Sequence, residues 1–165
     1  MVTRNWYNSF KGNNGCGTIP DGLKTIDGVT RNAARSTSSN IGDVAFYASS
    51  VVFDNSTNGI VLGSGTTPAT VDDYKLESQI RSGLACSLVT TGDDDNNAVY
   101  TITATNTTSE DIVIGEVGIY ARGFYASGNS SVLILTERTV LEAPITIEPG
   151  GVGQVTYSIK LPYPS

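Results

Sequence analysis

The chain contains no histidine. That absence removes the Ser-His-Asp and Cys-His arrangements that activate a nucleophile, the imidazole general base, and most zinc sites. Cysteine is nearly as scarce. Cys16 and Cys86 are too few and too far apart for a disulfide framework; both are expected to be reduced, with Cys86 packed as a small hydrophobe. No apolar run is long enough to span a membrane, and the start of the chain lacks the basic-then-apolar pattern of a secretory leader. Charged residues make up only 16% of the 165 and sum to −6. An acidic balance of this kind repels phosphate backbones, so nucleic acid is not expected as a partner, and neither is a membrane.

What is present is serine, threonine, asparagine and glycine, with few of the Leu, Ala, Glu and Lys residues that helices prefer. The length suits one domain with a core of its own. Residues 1–42 and 43–165 differ in texture. The first stretch holds Pro20-Asp21-Gly22, Asp27-Gly28 and a Ser/Asn-rich run from Arg35 to Asn40, which is turn and loop chemistry. It is expected to be an extended, mostly irregular N-terminal arm. A short helix near 3–11 is capped by Thr3, with Trp6 and Phe10 one turn apart. Residues 1–40 carry net charge +3, which leaves −9 for the rest. Such an arm can dock on a neighbour's acidic body or lie along its own.

From residue 43 onward short apolar runs alternate with turn signals, the pattern of an all-β sandwich or barrel. Strands are expected at Val44–Phe53, Ile60–Leu62, Leu84–Thr91, Ala98–Asn106, Ile112–Tyr120, Val132–Thr136, Val140–Ile147 and Gly153–Leu161. Asn58-Gly59 is a hairpin signal, Gly63–Asp73 a long loop, and Gly92–Asn97 an acidic loop. Pro144, in mid-run, places its strand at an edge or a bulge, and Pro149-Gly150 makes a tight turn. Ala98–Asn106 and Gly153–Leu161 alternate with period two, which predicts one buried and one wet face. The expected fold is an antiparallel β-sandwich, Ig-like or jelly-roll-like.

Candidate chemistry is thin. Sixteen acidic residues make paired carboxylates arithmetically possible, but most fall in loops or on wet faces, where a carboxylate is simply solvated. The glycine-rich runs Gly12–Thr18 and Gly63–Thr67 lack the lysine of a phosphate loop. Asp93, Asp95 and Asn97 begin a calcium-loop pattern, yet no bidentate glutamate follows; a solvated loop is the plain alternative. Asn55, Asn106 and Asn129 open N-x-S/T triplets that follow from composition. No enzymatic role and no cofactor are expected. The best interaction anchors are Trp6, Tyr7 and Phe10, with Arg4, Lys11, Arg31 and Arg35 as steering charges; capping their own sandwich is the alternative role for the aromatics. Tyr120, Phe124 and Tyr125 suggest an exposed loop end, either a sugar-stacking patch or part of the core rim.

Three stretches carry a family likeness: DNSTNGIVLGSGTTPATVDDYKLESQI from Asp54, TNTTSEDIVIGEVGIYAR from Thr105, and SVLILTERTVLEAPITIEPGGVGQVTYSIKLP from Ser131. In order and spacing they resemble a group of small virion structural proteins of tailed bacteriophages, often of the gut. The likeness covers roughly residues 54–161; the opening NWYNSFKG is similar, less specifically. It implies a non-enzymatic part of the virion that decorates the capsid or belongs to the neck or tail. Its partners would be other virion proteins, in a homo-oligomer or symmetric assembly. A carbohydrate-binding sandwich for host or glycan attachment is the alternative. Within these motifs, small Gly115 and Gly118 are expected to leave room for large neighbours from a facing sheet. Tyr74 and Leu76 are expected to pack over the sandwich end while Glu77 stays wet.

Overall fold

The computed structural model describes residues 1–13, 22–31, 59–94, 97–124 and 131–160. The expected strand Val44–Phe53, Arg35, Asp95 and Tyr125 lie outside them. Among the described residues the chain is all-β apart from one short helix, and every paired strand runs antiparallel. In chain order the elements are α1 (Arg4–Asn13), β1 (Leu23–Lys24), β2 (Thr30–Arg31), β3 (Gly59–Gly63), β4 (Leu84–Asp94), β5 (Asn97–Asn106), β6 (Ile112–Phe124), β7 (Ser131–Ile147) and β8 (Val152–Lys160). Among the described residues they form a β1-β2 pair and two three-stranded sheets, β3-β6-β7 and β4-β5-β8.

Alternation places the core where it was expected on β5 and β8. Ile102, Ala104 and Val155 are buried, whereas Gln154 and Thr156 face water. These residues join Ile60 and Leu62 of β3, Leu84 of β4, Ile114, Val117 and Ile119 of β6, and Ile147 of β7 in one cluster. The largest core cluster therefore draws side chains from both sheets. Burying an aliphatic side chain contributes roughly 1.5–3 kcal/mol, so this cluster is the main attraction between the layers.

β6 departs from the alternating pattern, since Ile114 through Ala121 are buried without exception. A central strand buries both its faces only when something covers each. One face meets the main cluster. The other carries Tyr120, which packs with Val61, Leu76, Leu133, Leu135 and the half-buried Ile26. Leu76 comes from the loop after β3 and Ile26 from the N-terminal segment. Loop and segment thus act as a third layer, which no single strand's periodicity announces.

Two expected strands are one. Val132–Thr136 and Val140–Ile147 both lie in β7, which pairs with β6 along its length through two register shifts. One shift falls between Ile119/Glu137 and Tyr120/Leu135, leaving Thr136 as the extra residue; its hydroxyl donates to the Ile119 carbonyl at 3.1 Å. The other falls between Ile114/Ile145 and Glu116/Val140, so that Leu141–Pro144 bulge out. Pro144 sits where no ladder N–H is required, as its missing donor demands. Gly150 turns the chain into β8 with φ of 73°.

The described parts of the expected arm, residues 1–13 and 22–31, hold a helix and a strand pair and lie on the chain's own body. The Thr3 N–H donates to the Thr136 carbonyl at 2.9 Å, the Arg138 N–H to Met1 at 3.0 Å, and the Ile26 N–H to Leu133 at 3.0 Å. Val2 and Glu137 form an antiparallel bridge. The segment therefore runs beside β7. Thr3 stands at the start of α1 as expected, but its hydroxyl donates to the Leu135 carbonyl at 2.6 Å instead of capping the helix by its side chain. Buried Asn5 ties helix to hairpin, donating to the Lys24 carbonyl and accepting from the Lys24 N–H. Asn8 donates to Gly22 at 2.7 Å.

Candidate functional site

The three stretches that carry the family likeness converge on one group of charges. Glu116 (β6) is wholly buried and Arg138 (β7) nearly so. The Arg138 Nε donates to Glu116 Oε2 at 2.7 Å, its Nη1 to Asp73 at 2.7 Å, and its Nη2 to the Thr67 carbonyl at 3.1 Å and to Glu77 at 3.5 Å. Glu116 also accepts backbone N–H bonds from Gly65, Glu77 and Ser78. The loop 64–83 thus closes over β6 through main-chain donors aimed at one carboxylate. Gly115 makes this approach possible, because a β-carbon there would lie 2.7 Å from the Gly65 carbonyl oxygen. The space over Gly118 is filled by Leu76 from the same loop and Leu135 from β7, not by the facing sheet.

The remaining carboxylates are as fully engaged. Glu77 is exposed, as expected, and accepts from the Thr66 and Thr67 N–H groups and the Thr67 hydroxyl. Asp73 accepts from the Thr70 N–H and hydroxyl. Burial raises the Asp73 pKa, but the Thr70 N–H, the Arg138 guanidinium and the Thr70 hydroxyl together hold it below the usual value. The Thr67 hydroxyl and N–H lead in holding Glu77 below its own. Arg138 is pulled down by burial and raised further by Asp73 and Glu116, so it stays charged. All six carboxylate oxygens accept bonds from within the chain. An open depression lined by Pro68, Tyr74, Leu76 and Arg138 lies over a network already satisfied.

Sequence reasoning missed this cluster, because its members stand up to 71 positions apart. One signal was available. Glu116 interrupts IVIGEVGIY, and a carboxylate inside an apolar strand needs a partner when buried.

The expected anchors are distributed as follows. Tyr7 is 52% exposed and Trp6 is half-buried, both on α1. Phe10 and Lys11 also lie on α1, and their side chains are outside the description. Arg4 is paired with Asp72 at 2.7 Å on the surface. Arg31, half-buried, stands opposite Leu23 in the β1-β2 pair. Lys24 sits 4.0 Å over the Tyr74 ring, a cation–π contact that helps join hairpin and loop.

Two further expectations need correction. Of the expected loop Gly92–Asn97, Gly92–Asp94 belong to β4 and Asn97 to β5, with Asp93 opposite Ala98. Of the calcium candidates, Asp93 and Asn97 therefore occupy paired strands. Among the described residues no three His, Cys, Asp or Glu side chains gather as a metal set. Tyr120 is not at an exposed loop end; it is 2% exposed in the core, and burial leads in raising its phenol pKa. Asn106 of the Asn106-Thr107-Thr108 triplet has a structural place. It is buried and donates its amide hydrogens to Glu110 and Ile147, while its oxygen accepts from Thr108. No described helix is long and apolar enough to cross a membrane. Compared with known proteins, the chain matches no family model, no curated protein and no solved structure.

Proposed function

We propose that this chain is a non-enzymatic structural protein of a tailed-phage virion, placed on the capsid or in the neck or tail and held there by contacts with other virion subunits. The observation that carries the reading is the saturated cluster around Arg138. Four charged residues of the stretches quoted for the family likeness, Asp73, Glu77, Glu116 and Arg138, join loop 64–83 to β6 and β7, and every oxygen of the three carboxylates is occupied by an internal donor. Charges used in this way build a rigid body; they do not present an acid or base to a substrate. The single cluster shared by the two sheets supports a β-sandwich of Ig-like or jelly-roll-like kind as that body.

Tyr7 is the exposed aromatic that this reading assigns to subunit contact. Mass spectrometry and reconstruction of purified particles from a phage encoding the chain should find it in a fixed, symmetric position. Tyr7→Ala should melt within a degree or two of the parent yet be depleted from particles several-fold. Absence of the parent chain from purified particles would overturn the reading.

A further inference from the structure

The contact between the N-terminal segment and β7 has the character of an interface between separable parts. Buried Thr3 and Asn5 bond to β7 beside Leu23 and the half-buried Ile26, while buried Asn8 and Thr25 bond within the segment itself. Its bonds run to the main chain of β7, through Thr3, Met1, Ile26 and the Asn5 amide. This is strand addition, in which backbone hydrogen bonds hold an extended segment to a sheet edge and a few side chains fix the register. Any copy of the chain offers the same β7 edge and the same hollow beside Ala121 and Ile134, which Leu23 fills. Residues 32–58 separate the segment from β3, and a chain of that length reaches at most roughly 90 Å. Charge permits a neighbour as readily as the chain's own body, since residues 1–40 are net positive and the rest strongly negative in every copy.

We propose that the segment 1–31 is exchanged between copies: in the homo-oligomer it runs along β7 of a second copy, which returns its own. The inference rests on the proposed assembly role and names the partner as another molecule of the same chain. Exchange preserves each contact described above and adds no new unpaired edge, which is why swapping is a low-cost route to an oligomer.

Val2 and Glu137 supply the test. The Thr3-to-Thr136 and Arg138-to-Met1 bonds flank them, so they are a non-hydrogen-bonded antiparallel pair, the arrangement whose close Cα spacing suits a disulfide. Val2→Cys and Glu137→Cys are made in separate full-length chains, each with Cys16→Ser and Cys86→Ser, then co-expressed and oxidised. Exchange joins one chain of each kind into a covalent dimer on a non-reducing gel. The double variant Val2→Cys/Glu137→Cys forms a covalent dimer held by two such bonds under the same conditions. A double variant that closes only within its own chain, with no dimer from the two single variants, overturns the exchange. Such a result leaves the virion role to be judged separately by presence in the particle.

Discussion

Arg138 is the residue on which the loop depends. Its guanidinium is almost wholly buried with Glu116, and removing one partner of such a pair leaves an uncompensated charge, which costs about 3–5 kcal/mol. Glu116→Ala also strands the N–H groups of Gly65, Glu77 and Ser78. Glu116→Ala and Arg138→Ala should each lower unfolding stability by about that amount in urea, and the double variant by less than the two together. Strictly additive losses would show that the two do not act as a pair. Acidity acts through the same residues. The Asp73 and Glu77 pKa values are lowered in the fold, so the unfolded chain takes up protons first as pH falls. Their stabilisation is complete above the unfolded carboxylate range, near roughly pH 4, and is lost as pH falls through the lower folded values. Melting temperature should hold between pH 7 and 5 and decline below about 4, with a shallower decline in Asp73→Asn. An unchanged slope in that variant would remove Asp73 from the account. The Cys86 thiol, pushed up to about 11 by burial, is a poor nucleophile at neutral pH.

At the scale of elements, β6 and its covering loop decide the architecture. β6 is bonded on both sides, by β3 and β7, and packed on both faces. The loop sits close because Gly115 has no side chain, so Gly115→Ala should force the Ser64-Gly65 backbone outward and cost about 1–3 kcal/mol, read from the urea midpoint. A variant as stable as the parent would mean that the loop moves freely there. β7 is continuous because bulges at Thr136 and Leu141–Pro144 absorb its mismatches with β6. Sequence reading split it in two at the polar Glu137-Arg138-Thr139, which looks like a turn. Arg138 is polar for a different reason: it reaches the carboxylates beneath the loop. Gly92–Asp94 and Asn97 were misjudged in the opposite way. Acidic and small residues resemble a loop, yet as flanks of a long hairpin they continue the ladder.

For the whole molecule, the question is which parts belong to one body. The first forty residues have few apolar side chains, which was legible from composition. Their docking site was not. Thr3 reads as a helix cap, but in the fold its hydroxyl, together with the Asn5 and Asn8 amides, satisfies main-chain groups of β7 and the β1 region.

The amino-acid sequence alone determined that the chain is β-rich, that it lacks histidine chemistry, and where β5 and β8 bury their faces, because composition and period-two alternation are local properties. Only the tertiary structure decided that β6 is covered on both sides, that Glu116, Asp73 and Glu77 share one arginine, and that the N-terminal segment runs along β7. Those outcomes depend on groups distant in the chain meeting out of water, where an unpaired charge or backbone N–H is costly, and no local pattern specifies which distant partner supplies the bond.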